Sequence, residues 1–332
     1  MQSPETFVTL DDDANLQLNA DGELRHLLTL KGLERSVLAD LLDEAQHFVS
    51  PAGSLAVRSD SMVGRTVANL FFEPSTRTRA SFDLAAKRLG ADVLNLDVNT
   101  SSRKKGESIL DTIYTLQAMQ VDVMVIRDAS AGVPAFIAEH VDDHVSILNA
   151  GESDISHPTQ GLLDLLTIRQ RLGDISDLTI AIVGDIAHSR VARSAVQGLH
   201  TLGAREIRLI SPAALAPDTE EMPFAKITDD LDAGLRGAHV VMALRIQRER
   251  IADLDGIPDV DDYFRSYGIT HARLKHAADN VIVMHPGPMN RGIEIESSLA
   301  DSPASVITQQ VTNGVAVRMA VLERVIKSMA SL

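Results

Sequence analysis

Cysteine is missing from all 332 residues of the chain, which removes disulfides, thiolate metal sites and a cysteine nucleophile without fixing a compartment. No apolar run approaches the roughly 18 residues of a membrane-spanning helix, and no signal-peptide pattern is found, so cytoplasmic residence is the default expectation. Positive charge is in deficit too. Against 46 Asp and Glu stand 31 Lys and Arg, a formal net charge of −15, which disfavours nonspecific binding to nucleic acid or to anionic membranes. An anionic substrate must therefore meet locally concentrated cations. Low-complexity stretches are also absent, and 45% hydrophobic with 23% charged residues is the profile of a globular protein able to bury a sizeable core. At this length two domains of roughly 150 residues each are the default.

Residues 1–24 are polar, carry Asp11, Asp12 and Asp13 in a row, and lack a sustained apolar period, so they are expected to lie outside the core. From Thr66 on, short apolar runs alternate with helical patterns. TVANLFF at 66–72, DVLNLDV at 92–98, VDVMVIR at 121–127 and VSILNA at 145–150 form one series; TIAIVGD at 179–185, EIRLISP at 206–212, HVVMALR at 239–245 and NVIVMHP at 280–286 form a second. Such runs predict buried parallel strands in two α/β units. Near the end, Val315, Met319, Leu322, Ile326 and Met329 recur every three or four residues, a narrow apolar stripe on a helix that docks on another element.

The segment FFEPSTRTRASFDLAAKRLG at 71–90 carries the most chemistry. An apolar strand ends in Ser75, Thr76, Arg77, Thr78 and Arg79, and an amphipathic helix follows with Phe82, Ala85, Ala86 and Leu89 on one face. Free N–H groups and the positive end of a helix dipole favour an anion there, and the hydroxyls and Arg77 add donors for phosphate oxygens. It is a phosphate site without a Walker lysine. Ordinary capping needs just one such hydroxyl and leaves Arg77 and Arg79 unexplained.

Ser-Thr-Arg-Thr-Arg after an apolar strand resembles the carbamoyl phosphate signature of the aspartate and ornithine carbamoyltransferases. The resemblance continues in order through NTSSRKKGES at 99–108, NAGESDISHPTQGLLDLLTI at 149–168, VGDIAHSRVARS at 183–194, LRIQRER at 244–250 and MHPGPMNRG at 284–292. It implies two doubly wound parallel-sheet domains with the active site in the cleft between them and at a subunit interface. The expected division is an extension at 1–24, a carbamoyl phosphate-binding domain of 25–157 plus 312–332, and an aspartate-binding domain of 158–311.

For the residues, the resemblance makes Ser75, Thr76, Arg77 and Thr78 ligands of carbamoyl phosphate, with Ser101 and Lys105 reaching substrate from a neighbouring subunit. Alone, that loop reads as a solvated basic turn. Arg127 ends a strand, where α/β folds place ligand groups, although a charged strand end also suits solvent. His157 would bond the carbamoyl carbonyl, where a capping histidine is the plainer reading, and Gln160 would lie near the carbamoyl amide. Arg190, Arg245 and Gln247 hold the family's positions for the two carboxylates of aspartate, which a guanidinium grips through two parallel bonds. Arg245 and Gln247 alternate with Leu244 and Ile246, as on a strand with one polar face; Arg248 and Arg250 read as solvated neighbours. Gly287 and Pro288 belong to a rigid turn whose carbonyls, by the resemblance, would orient the amine and amide, and their bond is a candidate cis peptide. Glycine at 287 replaces the leucine of some members. Ornithine enzymes usually carry a cysteine in this turn, so its absence, with Arg245 and Gln247, selects aspartate.

The reaction implied joins carbamoyl phosphate to aspartate, an early step of pyrimidine biosynthesis, with Thr78, Arg127, His157 and Lys105 as catalytic residues and no metal or cofactor. A homotrimer with shared sites is expected, and the extension is compatible with a regulatory or dihydroorotase-like chain. A transcarbamoylase acting on another amine is the competing reading. A dinucleotide-binding protein is excluded, because Gly184 is followed by Asp185, Ile186 and Ala187 rather than by Gly-x-x-Gly. A noncatalytic subunit would have lost site residues that are all present.

Overall fold

A computed structural model describes residues 16–51, 53–96, 108–247 and 256–329. The chain divides into two compact units, one running up to Leu162 and resuming at Thr312, the other spanning Leu163–Val311. Each is built on an all-parallel sheet.

The first unit holds helix α1 (Arg35–Phe48) and then β1 (Thr66–Phe71), α2 (Thr76–Arg88), β2 (Asp92–Leu96), α3 (Ile109–Ala118), β3 (Val123–Asp128), α4 (Val133–Ala138), β4 (Ser146–Glu152) and α5 (Pro158–Leu172), the last continuing into the second unit. Its sheet order is β2-β1-β3-β4. The apolar runs predicted for β1 and β3 are buried because helices cover both sheet faces, and Ala68, Leu70, Met124, Ile126 and Ile147 pack against Ile113 and Leu116 of α3 and Val133 and Ile137 of α4. Each buried Val, Leu or Ile contributes about 1.5–3 kcal/mol. Helix α3 begins in a capping box: the Asp111 amide donates to Ser108 Oγ at 3.1 Å and the Ser108 amide to Asp111 Oδ2 at 3.2 Å, which satisfies two otherwise orphaned donors.

Of the expected extension, residues 1–15 lie outside the described residues, while 16–24 pack onto the first unit. Leu24 and Gln17 are buried, and Gln17 Oε1 accepts from the amides of Leu28 at 2.7 Å and Thr29 at 2.9 Å. The following segment pairs with β4, Leu27 N donating to Ile147 O and Asn149 N to Leu27 O, which covers a sheet edge. One buried amide side chain thus replaces the apolar period that the sequence lacks.

The second unit contains β5 (Thr179–Val183), α6 (Arg190–Thr201), β6 (Glu206–Ile210), β7 (Lys226–Thr228), α7 (Leu231–Leu235), β8 (Val240–Ala243), α8 (Val260–Tyr267), α9 (His271–Leu274), β9 (Ile282–Met284) and α10 (Ser297–Ala300). Its sheet order is β7-β6-β5-β8-β9. Strand β7 has no counterpart in the predicted series, since Lys-Ile-Thr at an edge offers no apolar run. The core joins Ala181, Val183, Val241, Ala243 and Val283 to Leu231, Leu235, Ile295 and Leu299.

Helix α11 (Ile307–Met329) belongs from Thr312 onward to the first unit. Its expected narrow stripe is broader. Ala316, Val317, Ala320, Val321 and Val325 are buried along with Met319, Leu322, Ile326 and Met329, and Val315 is half-buried. Arg318 lies 5.0 Å from the centre of the Phe82 ring, and Arg324 pairs with Glu44 of α1 at 2.7 Å. Among the described residues no helix is long and apolar enough to cross a membrane.

Candidate active site

Strand order decides where each unit presents functional groups. In the first unit the chain leaves β1 for β2 on one side and β3 for β4 on the other, so the sheet switches direction between β1 and β3, where open α/β sheets form a ligand crevice at the strands' carboxyl ends. There β1 delivers Ser75–Thr78 and β3 delivers Arg127. Ser75 is the N-cap of α2, its backbone extended at φ −159° and ψ 96°, yet its side chain makes no capping hydrogen bond, and no acidic residue occupies the first helical turn. The plain capping role therefore does not use this hydroxyl. Thr78 is buried and Arg77 is exposed at the surface; partial desolvation nevertheless holds the Arg77 guanidinium below its ordinary pKa.

Arg127 is tied to this loop from both directions. Its carbonyl accepts from the Phe72 and Glu73 amides at 2.8 and 3.3 Å, and its buried guanidinium donates to Glu73 Oε1 at 2.8 Å and to Ala150 O at 3.0 Å. The plane of the guanidinium is thereby fixed. His157 and Gln160 are buried at the head of α5, with the Gln160 amide donating to His157 O at 3.0 Å. Ser156 Oγ donates to Leu28 O at 3.2 Å, and Asn149 Nδ2 reaches Leu28 O at 2.8 Å and Glu152 Oε1 at 3.1 Å, so buried polar bonds hold the stretch that leads into this histidine. Ser101 and Lys105 lie outside the described residues, as do Arg248 and Arg250.

The second unit repeats the rule. Its sheet switches between β5 and β8, and the carboxyl end of β5 leads to Arg190 while that of β8 leads to Arg245 and Gln247. Arg190 is buried at the first position of α6, which Ser189 caps by accepting the Ala192 amide at 3.1 Å. The strand expected through Gln247 ends at Ala243. Past it the alternation survives as irregular backbone, with Leu244 and Ile246 buried and Arg245 and Gln247 half-buried.

Asp185 is what holds that irregular arm. It is fully buried; Oδ2 accepts the Gln247 amide at 3.0 Å, and Oδ1 meets the His188 amide at 3.3 Å and His188 Nδ1 at 2.8 Å. Gln247 Nε2 returns a bond to His188 O at 2.8 Å. Gly184 lets the two segments approach: a Cβ there would stand 2.4 Å from Leu244 O, at φ +134°. After β9 the Gly287–Pro288 bond is cis.

Comparison with known proteins gives this arrangement its family. Residues 25–170 match the carbamoyl-P binding domain of the aspartate/ornithine carbamoyltransferases, and residues 176–325 match their Asp/Orn binding domain. The chain belongs to the aspartate/ornithine carbamoyltransferase family. Aspartate transcarbamoylase from Trypanosoma cruzi, in complex with carbamoyl aspartate and phosphate, is similar with a TM-score of 0.82 and 31% identity over 93% of this chain and 98% of that one. The same enzyme with carbamoyl phosphate and aspartate gives 0.80 and 30%, over 93% and 99%. An ornithine carbamoyltransferase from Pyrococcus furiosus gives 0.81 and 27%, over 91% and 97%. Two residues of this carbamoyltransferase, Glu73 and Asp185, were missed as site residues in the sequence. Glu73 could have been suspected as the acidic residue in an otherwise cationic and hydroxyl-rich loop; Asp185 as a charge directly after a glycine at a strand end.

Proposed function

We propose that the chain transfers the carbamoyl group of carbamoyl phosphate to the amino group of L-aspartate, giving N-carbamoyl-L-aspartate and phosphate. The observation that carries the reading is the head of α2, where Ser75 is placed at the N-cap without capping and Arg77 stands beside it in a first turn free of acidic residues. Ser75, Thr76 and Arg77, joined by Lys105 and Ser101 from a neighbouring subunit, hold the phosphate; Gln160 faces the carbamoyl amide. Arg190, Arg245 and Gln247 hold the carboxylates of aspartate.

The amine attacks the carbamoyl carbon, a C–N bond forms, and the C–O bond to phosphate breaks with its electron pair leaving on phosphate, which takes the amine proton. Negative charge builds on the carbonyl oxygen in between. Thr78, Arg127 and His157 stabilise it, and donors fixed in advance need no reorganisation at that moment. Positioning supplies the rest. The carbonyls of the Gly287–Pro288 turn receive N–H groups of the amide or the attacking amine. The expectation of a cytoplasmic homotrimer serving pyrimidine biosynthesis, with a regulatory or dihydroorotase-like partner chain, belongs to the same proposal.

Purified protein given carbamoyl phosphate and L-aspartate should form carbamoyl aspartate, with L-ornithine as the parallel acceptor because an ornithine enzyme is among the similar structures. Product from ornithine alone would transfer the assignment to the sister reaction.

A further inference from the structure

Helix α2 carries proposed ligands of carbamoyl phosphate, and its rotation about its own axis decides where they point. Thr78, Phe82, Ala85 and Ala86 form its buried face, so Thr78 and Phe82, four residues apart, stand one above the other. A side-chain tip about 5 Å from a helix axis is carried about 1 Å by a roll of about 10°. Apolar packing is non-directional, so directed bonds are what hold the angle.

Arg318 of α11 supplies such bonds on the buried side. It is buried itself; Nη1 donates to Ser81 Oγ at 3.1 Å and to Gly314 O at 2.9 Å, and its guanidinium carbon stands 5.0 Å from the centre of the Phe82 ring. Ser81 and Phe82 follow Thr78 by three and four positions, so the guanidinium grips the turn directly after Thr78. The Gly314 bond pins the side chain to its own helix, and α11 is tied to α1 through Arg324, whose Nε donates to Glu44 Oε1 at 3.0 Å. A second hold on α2 comes from the sheet: Asp83 Oδ1 accepts from Asn95 Nδ2 at 2.9 Å, and Asn95 Oδ1 accepts from Asn69 Nδ2 at 3.0 Å. All of these residues belong to the first unit. An apolar side chain would seat against Phe82 without desolvating a charge; the guanidinium adds donors in a fixed plane.

We infer that Arg318 is a positioning residue that fixes the rotation of α2 and so aims Thr78 and the donors at the head of the helix. The inference rests on the proposed carbamoyl transfer. Its test compares wild type, Arg318→Met, Ser81→Ala and the double variant by steady-state kinetics with carbamoyl phosphate and aspartate, by calorimetric binding of inorganic phosphate, and by thermal melting. Arg318→Met is expected to lower kcat about 10- to 100-fold, the scale of a misplacement of about 1 Å, and to weaken phosphate about two- to tenfold. Ser81→Ala is expected to lower kcat about two- to tenfold, the range of one net hydrogen bond. The double variant should match Arg318→Met within about twofold, since both changes remove the same contact. KM for aspartate, assigned to residues of the second unit, should stay within about twofold in all three. Wild-type kcat and phosphate affinity in a folded Arg318→Met protein, losses that multiply in the double variant, or a loss confined to the melting temperature overturns the role of Arg318. Where Arg318→Met does not melt cooperatively, Ser81→Ala decides, and wild-type kcat with wild-type phosphate affinity there overturns it equally. A wild type that binds phosphate but forms no carbamoyl aspartate removes the proposed function, and phosphate affinity across the variants then decides whether Arg318 positions α2; a wild type that binds no phosphate overturns both.

Discussion

Replacing Asp185 with alanine takes a fully buried carboxylate out of the hinge between His188 and Gln247. Three bonds disappear: two from His188, at 3.3 and 2.8 Å, and one from the Gln247 amide at 3.0 Å. Both partners are half-buried, so water replaces part of what is lost and the unit still folds. What water does not replace is aim, because the Gln247 arm is irregular backbone beyond the end of β8. A hydrogen bond to a charged group contributes about 1.5–3 kcal/mol, and about 1.4 kcal/mol is a factor of ten. If one such bond fixes the arm, kcat/KM for aspartate falls about ten- to a hundred-fold. Steady-state kinetics with aspartate varied at saturating carbamoyl phosphate measures this, and calorimetric binding of inorganic phosphate, assigned to residues of the first unit, is the control expected not to change. A folded Asp185→Ala protein with wild-type kcat/KM for aspartate would refute the reasoning.

Arg77→Ala is expected to lower kcat by about a hundred- to a thousand-fold, as loss of one charge-stabilising donor does, with the melting temperature unchanged because the side chain is exposed; near-normal turnover in the carbamoyl transfer assay would sink the phosphate site. Gly184→Ala forces a Cβ to 2.4 Å from the Leu244 carbonyl at a positive φ, so thermal melts should show a loss of about 2–3 kcal/mol, together with weaker aspartate binding. Acid should act through His26, whose Nδ1 accepts the Ile147 amide at 2.9 Å and whose pKa is lowered from 6.5 to about 3 by burial and by neighbouring Arg25. The unfolded chain takes up this proton first, so the folded state loses stability as the pH falls from 6.5 to about 3, by up to about 1.4 kcal/mol per pH unit. His26→Gln should flatten that dependence in denaturant titrations at stepped pH.

Much of the candidate site was legible because its groups are contiguous in sequence. Ser75–Thr78 sit at a strand-to-helix junction that apolar periodicity alone announces, and the cis Gly287–Pro288 bond follows a readable strand. The misses share a cause. Strand β7 is three half-polar residues paired at an edge, Gln17 replaces an apolar pattern with two hydrogen bonds, and the arm at Arg245–Gln247 keeps the alternation of a strand after its pairing has stopped. In each, a polar group satisfied by a distant partner took the place of a local pattern.

The sequence by itself determined the two α/β series, the strand-to-helix junction at the head of α2 with its hydroxyls and arginines, and the family of motifs around it, because helix period, strand burial and residue order are local properties. The order of the strands was decided only by the tertiary structure. That order places the switch between β1 and β3 in one unit and between β5 and β8 in the other, and so brings Glu73 against Arg127 and Asp185 against Gln247 across 54 and 62 residues of chain. Parallel pairing and buried charge satisfaction act between segments far apart in the chain, and no local pattern encodes which segments will meet.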